Sequence, residues 1–201
     1  MSDEKLDSEV RRQQIAEAAL VLVAERGLGQ LNIAAVARRV GLVPSGIYRH
    51  FKSKDEIVLA VLDRIEARML ANVRAACEET PDPVERLRGL LMRHIRMIRE
   101  GRAVPRIIFS DDLHSGHPER KVRAQRLVEG YLGQIGQLVR EGQEQGKIRP
   151  GLDPRTIALM FLGIVVPAGI LWHLTDGGFD VTQHAARAWQ VFRGAIGTEA
   201  R

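Results

Sequence analysis

The chain has 201 residues, of which 45% are apolar, and this length and composition suit one compact body with a small appended domain. With 30 Lys and Arg against 25 Asp and Glu, the formal net charge is +5, which favours a polyanionic partner such as nucleic acid. The single cysteine, Cys77, excludes an intramolecular disulfide and a metal cage built from cysteines, and we expect it to be a small apolar filler on a helix.

The first twelve residues, MSDEKLDSEVRR, are polar and mixed in charge, without the basic start and apolar stretch of a secretory signal. A chain with one cysteine also suits a reducing compartment. We therefore expect a cytoplasmic protein.

Apolar residues recur at helical spacing, no long segment alternates between apolar and polar residues, and aromatic residues make up only 4% of the chain. Glycine and proline pairs divide the chain into segments. The pattern predicts an all-α protein of about nine helices, at residues 8–26, 32–40, 44–51, from about 54, 83–100, 103–111, 118–145, 154–175 and 181–196.

Helix ends are marked clearly in the first third of the chain. Asn32 is a suitable N-cap for the second helix, and Gly41 ends that helix as a C-cap. Pro44 suits the first position of the third helix, and Ser53 followed by Glu56 has the spacing of a capping box at the start of the fourth.

The second and third helices are short and are separated by a tight, glycine-containing turn, which are the proportions of a DNA-binding helix-turn-helix. No acidic residue occurs between Glu25 and Asp55. This stretch nevertheless carries six basic residues, which indicates a phosphate-facing surface: Arg26, Arg38, Arg39, Arg49, Lys52 and Lys54.

The third helix has a predictable inner and outer side. Stepping about 100° per residue from Ile47 places Phe51 on the same inner side and Ser45 and Arg49 on the outer side. Arginine can bind guanine through two hydrogen bonds and serine can bond either kind of base, so these two residues are candidates for reading DNA. Gly46 permits close approach of the backbone.

Residues 41–56, GLVPSGIYRHFKSKDE, resemble the third- and fourth-helix signature of the TetR family of transcription regulators, and residues 33–37, IAAVA, resemble its second helix. The match covers about residues 10–62. The resemblance implies that Tyr48, His50 and Lys54 bind phosphates, while Pro44, Ser45 and Gly46 lie where the family reads bases. Together with Asn32, Arg49 and Lys52, these are our predicted DNA-binding residues.

Two positions depart from the family pattern. Many relatives have serine where this chain has Val43 and threonine where it has Asn32. Asparagine can still cap a helix and contact a phosphate, whereas the valine side chain can do neither. Ser45 is therefore expected to carry more of the polar contact.

The resemblance implies two domains, a helix-turn-helix DNA-binding domain at residues 1–54 and a helical effector-binding and dimerisation domain at residues 55–201, joined by the fourth helix. A palindromic operator requires two DNA-binding domains about 34–36 Å apart, or a multiple of that distance, so we expect a homodimer. The expected function is a repressor that a small effector releases from double-stranded DNA. The alternative is a DNA-bound adaptor of the same fold, whose body binds a protein partner.

The last two helices are the best candidates for the dimer interface. Residues 157–174 are almost entirely apolar and approach the length of a membrane span. Because Gly163, Pro167 and Gly169 interrupt this segment, we expect it to be buried between its own core and a partner subunit, and not in a membrane. The predicted interface residues are Phe161, Gly163, Val165, Ala168, Trp172, Trp189 and Phe192.

The middle helices carry many apolar positions, most of which we expect to form a core. Family resemblance adds an effector pocket between them, and small-ligand pockets are largely apolar. We expect an apolar or amphipathic effector, with the pocket lining drawn from His94, Phe109, His114, Tyr131 and Trp172.

Residues 111–117 contain two acids and two histidines, ligands that suit zinc or nickel, but without regular ligand spacing, so we expect no metal and no other cofactor. The chain shows no P-loop, no G-x-S-x-G elbow, no H-E-x-x-H motif and no dinucleotide-binding fingerprint. We expect that the protein is not an enzyme.

Overall fold

The computed structural model describes residues 2–100, 107–108 and 110–198, and within these ranges the chain is helical and contains no β-strand, as predicted. A single 3-10 turn, Leu28–Gln30, follows the first helix. Within the described ranges, the helices with defined bounds are α1 (Ser2–Arg26), α2 (Ile33–Arg39), α3 (Pro44–Ile47), α4 (Lys54–Glu79), α5 (Pro83–Arg99), α6 (Asp111–His114), α7 (Pro118–Glu144), α8 (Pro154–Leu174) and α9 (Val181–Ile196).

The two ends of α2 are as predicted. Asn32 caps the N-terminus, because its Oδ1 accepts a hydrogen bond from the Ala35 amide at 2.8 Å. Gly41 follows the C-terminus with a φ of +69°, a left-handed conformation that favours glycine. The Leu42 amide then donates to the Ala37 carbonyl at 2.9 Å, which turns the chain toward α3.

Aspartates start three of the longer helices in the C-terminal part. Asp82 Oδ1 accepts from the Val84 amide at 2.9 Å, and Asp153 Oδ2 accepts from the Thr156 amide at 2.7 Å. Asp180 caps α9 in the same way. At Asp82 the second carboxylate oxygen accepts from Lys147 Nζ at 2.8 Å, and this hydrogen bond lowers the pKa of the Asp82 carboxyl.

Three predicted helices differ from the structure. The first was predicted to begin at residue 8, but α1 begins at Ser2. The third helix was predicted to reach residue 51, but α3 ends at Ile47 and continues as turns to His50. The helix predicted at 103–111 lies partly outside the described residues; Ile107 and Ile108 are helical, and Asp111 begins the separate helix α6.

The chain divides into two compact units. The N-terminal unit comprises Met1–Ala67 and Arg106–Leu127, so residues from the middle of the chain join the helix-turn-helix segment. Its core is formed by apolar side chains of several helices: Ile15, Ala19, Val23, Val36, Ile47, Phe51, Ile57, Val61, Leu62 and Leu113.

The body unit comprises Arg68–Pro105 and Val128–Arg201. In this unit α5 packs on both α8 and α9, and α8 packs on α9. Most apolar positions of the middle helices that the structure describes are buried, as expected. Its main buried side chains are Leu87, Leu90, Leu91, Ile95, Ile98, Leu132, Ile135, Val139, Ile157, Phe161 and Phe192.

Candidate nucleic-acid interface

Helices α2 and α3 form the predicted helix-turn-helix, and the inner and outer sides of α3 are as the helical phase predicts. Ile47 is 0% exposed and Phe51 is 1% exposed, because both pack into the core of the N-terminal unit. Tyr48 is 55% exposed. The short helix is therefore anchored by one pair of apolar side chains and presents its opposite side to solvent.

The nine predicted DNA-binding residues all have solvent access in the N-terminal unit. Six are exposed and three are half-buried, and none lies in the core. The exposed ones are Asn32, Pro44, Ser45, Tyr48, Arg49 and Lys52, and the half-buried ones are Gly46, His50 and Lys54. This surface contains polar, basic and aromatic groups of the kinds that contact bases and phosphates.

The N-terminus of α3 has no side-chain cap. Val43 occupies the cap position in an extended conformation and is 65% exposed, and its side chain makes no capping hydrogen bond. The backbone alone closes the turn, since the Gly46 amide donates to the Val43 carbonyl at 2.8 Å. The missing side-chain cap expected from Val43 is thus present in the structure, whereas the larger polar role expected for Ser45 stays a prediction.

Two side-chain hydrogen bonds hold the start of α4. The Glu56 amide donates to Ser53 Oγ at 3.2 Å, and Glu56 Oε2 accepts from the Lys52 amide at 2.8 Å. These bonds correspond to the predicted capping box, with the reciprocal bond made to the residue before the cap. Lys54 is therefore the first residue of a well-capped helix, an end that attracts anions.

Asp55, which directly follows Lys54, is paired with residues far away in the sequence. Its Oδ1 accepts a hydrogen bond from Arg120 Nη2, and His117 Nδ1 lies 3.3 Å from the same oxygen. The Arg120 side chain is only 6% exposed. The carboxylate at the border of the basic surface is thus paired with a cation, which sequence reasoning missed because the partner is 65 positions away.

A second arginine of α7 pairs with α4 two turns further along. Arg123 Nε donates to Asp63 Oδ1 at 2.8 Å, and its Nη2 donates to Glu66 Oε2 at 2.5 Å. Desolvation of Arg123 lowers its pKa, but the hydrogen bonds to the two carboxylates outweigh it and raise the pKa overall. Basic residues of α7 therefore align with acidic residues of α4 within the N-terminal unit.

In the body unit the structure brings together two of the predicted effector-binding residues. His94 of α5 and Tyr131 of α7 share a hydrogen bond between Nε2 and the hydroxyl oxygen, and both side chains are buried. Burial lowers the pKa of His94 to about 4 and raises the pKa of Tyr131, so both groups are neutral at pH 7.

Aromatic rings extend this pair through the body unit. The centroid of Phe161 lies 6.3 Å from that of His94, and Phe192 lies 6.1 Å from Phe161. Trp189 lies 5.8 Å from Phe192. These five residues, His94, Tyr131, Phe161, Phe192 and Trp189, are called the aromatic cluster below.

The other predicted effector-binding residues lie elsewhere. Phe109 is outside the described residues. His114 belongs to the N-terminal unit, where its Nε2 lies 2.8 Å from the Ile108 carbonyl oxygen. Trp172 is half-buried and packs on the turn after α8. Its ring lies so close to Gly177 that a Cβ atom added to this glycine would be 3.2 Å from it.

Most of the predicted dimer-interface residues face inward. Phe161, Val165, Ala168, Trp189 and Phe192 are at most 5% exposed within their own chain, whereas Gly163 is exposed and Trp172 is half-buried. Segment 157–174 is apolar on all sides, so its sequence gave no helical phase from which to separate an inner from an outer side. These five side chains are therefore buried in the core of their own chain, and their part in a dimer interface stays a prediction.

A different set of apolar residues is open to solvent. On α8 these residues span about 120° of the helix circumference at about 100° per residue. They are Leu159, Met160, Ile170, Leu171 and Leu174, and α9 adds Val191, which is 75% exposed. We call these six residues the open apolar face.

Among the described residues, one helix, α8, is long enough and apolar enough to span a membrane, and its mean hydropathy is 2.2. Only 33% of that stretch is buried within the chain. The helix continues through Pro167, so the residues expected to interrupt the apolar segment do not divide it.

The two histidines of residues 111–117 have partners elsewhere in the N-terminal unit. His114 and His117 contact Ile108 and Asp55 as described above. In the part of the chain that the structure describes, no group of three or more His, Cys, Asp or Glu is placed to hold a metal ion.

Two family models match the chain and together cover most of it. The model described as "Bacterial regulatory proteins, tetR family" matches residues 15–61, which contain α2, α3 and the start of α4. The model described as "Tetracyclin repressor-like, C-terminal domain" matches residues 80–196.

Characterised relatives match at low identity over almost the whole length. The HTH-type transcriptional repressor KstR2 of Mycobacterium tuberculosis is 26% identical and aligns over 94% of both chains. The nucleoid occlusion factor SlmA of Vibrio vulnificus is 24% identical over 92% of this chain and 95% of its own. The solved structure of FadR from Bacillus subtilis in complex with stearoyl-CoA has a TM-score of 0.77, with 22% identity over 91% of this chain and 98% of that one.

Proposed function

The chain belongs to the TetR family of bacterial regulatory proteins and is a DNA-binding regulator, and from this premise we propose that it is a cytoplasmic repressor. In this proposal a homodimer binds a palindromic operator in double-stranded DNA and is released by a small apolar or amphipathic effector. The exposed side of α3, together with the capped start of α4, is the observation that carries the proposal.

We assign the outer side of α3 to the major groove. Arg49 and Ser45 are exposed and carry the groups that hydrogen-bond to base edges. Pro44 and Gly46 present little side chain and allow the backbone to approach DNA. Tyr48, His50, Lys52, Lys54 and Asn32 surround them and are assigned to phosphates.

The dimer is assigned to the open apolar face of α8 and α9. A stripe of exposed apolar side chains along α8 is best explained by a partner subunit, and a two-fold axis lets the same face serve both chains. The interface proposed from sequence therefore moves from the buried residues to Leu159, Met160, Ile170, Leu171, Leu174 and Val191.

The effector is assigned to the body unit, and we propose an acyl-CoA. FadR of Bacillus subtilis, which shares the fold, has been solved with stearoyl-CoA. The aromatic cluster of this chain is apolar apart from the His94–Tyr131 pair, which combines an apolar environment with one hydrogen-bonding point. An acyl chain and its thioester carbonyl match that combination.

Helix α4 is the element proposed to link effector binding to DNA release. Its first residues, to Ala67, belong to the N-terminal unit, and its remaining residues belong to the body unit. A shift of this helix on effector binding would change the separation of the two helix-turn-helix segments in a dimer, which must match the operator spacing.

The proposal is tested first by selecting genomic DNA fragments with the purified protein. Enrichment of a palindromic sequence is expected. Arg49→Ala should lower affinity for that sequence and reduce discrimination against random DNA, whereas Lys54→Ala should weaken binding to all DNA and reduce the salt slope by about 1. Arg88→Ala, which removes an exposed arginine of the body unit, is the matched control.

Two outcomes would contradict the DNA-binding assignment. One is the absence of any enriched sequence, and the other is full operator affinity in the double variant Tyr48→Ala/Lys54→Ala. For the effector, release of operator by stearoyl-CoA but not by coenzyme A alone is expected. Release by neither leaves the DNA assignment intact and refutes the acyl-CoA assignment.

A protein partner is the second candidate for the body unit, because the chain is also similar to the nucleoid occlusion factor SlmA. In that case a DNA-bound dimer would act as an adaptor. A pull-down with the operator-bound protein, set beside a thermal-shift screen of acyl-CoA ligands, separates the two: a stoichiometric protein partner without any ligand shift favours the adaptor.

A further inference from the structure

The turn that follows α3 is held by a side chain from α1. Arg12 donates a hydrogen bond from Nη1 to the backbone carbonyl of His50. The carbon at the centre of its guanidinium also lies 4.2 Å from the centroid of the Phe51 ring. One turn earlier on α1, Ser8 Oγ lies 3.5 Å from His50 Nδ1. Two residues on the same side of α1 therefore contact the turn that follows α3.

These contacts act where the short helix has the least support of its own. The His50 and Phe51 amides both donate to the Ile47 carbonyl, at 2.9 and 3.0 Å. The carbonyl groups at the end of a helix lack partners within it, and a positive charge there interacts favourably with the helix dipole. Arg12 supplies both a donor and a positive charge to this end.

The contacts of Arg12 depend on its planar guanidinium. A planar cation can stack on an aromatic face while its edge donates a hydrogen bond, a combination that the lysine ammonium does not reproduce. Phe51 is 1% exposed and buried in the core, so Arg12 contacts both the backbone of the turn and the buried ring that anchors it.

From this geometry we propose that Arg12 is a positioning residue for DNA recognition. It holds the turn at His50 in place, and thereby fixes the direction in which the adjacent Tyr48 and Arg49 meet DNA. Arg12 is half-buried and acts through the backbone of this turn, not by contacting a phosphate. The inference rests on the proposed function, since it specifies how that surface is oriented.

A positioning role for Arg12 and a direct phosphate contact by Arg12 predict different salt dependence of DNA binding. A phosphate contact contributes about one unit to the slope of log affinity against log salt concentration, whereas a positioning residue leaves that slope unchanged. A positioning residue affects the operator more than random DNA, because only base-specific contacts require the outer side of α3 to be aligned.

The experiment measures the affinity of full-length Arg12→Ala and Arg12→Lys for the selected operator and for random DNA at several salt concentrations. Arg11→Ala, which removes the same charge from the neighbouring position, is the control. For Arg12→Ala we expect about a tenfold loss of operator affinity, reduced discrimination against random DNA and an unchanged salt slope. Arg12→Lys should remain several-fold weaker than wild type, because the charge is kept but the planar stack is lost.

Three results would overturn the inference. They are wild-type operator affinity in Arg12→Ala, a salt slope reduced by about one unit in that variant, or full recovery in Arg12→Lys. Circular dichroism establishes whether each variant is folded. If Arg12→Ala is not folded, the operator affinity and salt slope of Arg12→Lys decide between the two roles. Failure of the proposed function is distinct, because wild type itself would then select no DNA sequence.

Discussion

His94 and Tyr131 form a hydrogen-bonded pair inside the body unit, with both side chains buried and neutral at pH 7. Each satisfies a polar group of the other that would otherwise be buried without a partner. The pair is contributed by α5 and α7, so it also ties two helices of the body unit together.

The buried histidine predicts a loss of stability in mild acid. Its pKa is about 4 in the folded protein, against 6.5 when unperturbed, so between these values the unfolded chain binds a proton that the folded one does not. The contribution of His94 to the free energy of unfolding is therefore greatest above pH 6.5, and it falls by about 3 kcal/mol as the pH drops toward 4. Urea unfolding at a series of pH values measures this change.

The double variant His94→Leu/Tyr131→Phe is the control for that measurement, because it removes the titrating group and its partner together. We expect the stability of this variant to decline less steeply between pH 6.5 and pH 4. Identical pH profiles for the variant and wild type would refute the assignment.

Adding a cap to α3 should stabilise the protein. Val43 occupies the cap position without a capping bond, and its backbone is already extended as a cap requires. Val43→Ser should raise the free energy of unfolding by about 1 kcal/mol, since a serine oxygen can accept from a free amide of the first turn. Thermal unfolding measures the gain, and Val43→Ala, which adds no acceptor, should not reproduce it. Equal stability of the two variants would argue against the capping explanation.

The ion pair between Arg120 and Asp55 predicts an asymmetry between its two partners. The Asp55 side chain is 47% exposed and that of Arg120 only 6%, so losing the carboxylate leaves the cation buried, whereas losing the cation leaves a carboxylate near water. Asp55→Asn should therefore destabilise more than Arg120→Met, with a cost of about 2 kcal/mol. Urea unfolding of both variants measures the difference.

Asp63→Asn is the matched control for Asp55→Asn, because Asp63 is 63% exposed and also pairs with an arginine of α7. An exposed ion pair contributes little, so this variant should lose less than about 1 kcal/mol. A larger loss for Asp63→Asn than for Asp55→Asn would contradict the role given to burial.

A charge on the open apolar face should break the proposed dimer. Leu171 is 40% exposed on α8, and Leu171→Lys would place an ammonium group opposite apolar side chains of the partner subunit. Analytical ultracentrifugation should detect monomers at concentrations where wild type is dimeric. Operator affinity should fall because fewer dimers form. Val122→Lys changes a similarly exposed apolar residue of the N-terminal unit, and it should remain dimeric. Dimeric Leu171→Lys would refute this interface.

The local signals in the sequence predicted the helix-turn-helix closely. Asn32, Gly41, Ser53 and Glu56 act through neighbours one to four positions away, so their capping roles are encoded in short segments and recur in the structure. The inward direction of Ile47 and Phe51 followed from helical phase alone. These residues place the outer side of α3 before any tertiary contact is known.

The inner and outer sides of α8 illustrate what periodicity left open. A segment that is apolar on every side has no phase, so Phe161 and Leu171 were indistinguishable in sequence, although one is buried in the core and the other is exposed. Only packing against α5 and α9 determined which side faces inward.

The amino-acid sequence by itself predicted most of the helices, their caps and the exposed outer side of α3, because these depend on interactions between residues close together in the chain. Tertiary structure alone decided that Arg12 reaches the turn at His50, that Arg120 pairs with Asp55, and that His94 meets Tyr131. These pairs are separated by 38, 65 and 37 positions. No local propensity encodes such contacts, since they form only when the helices pack and bring distant side chains into hydrogen-bonding distance.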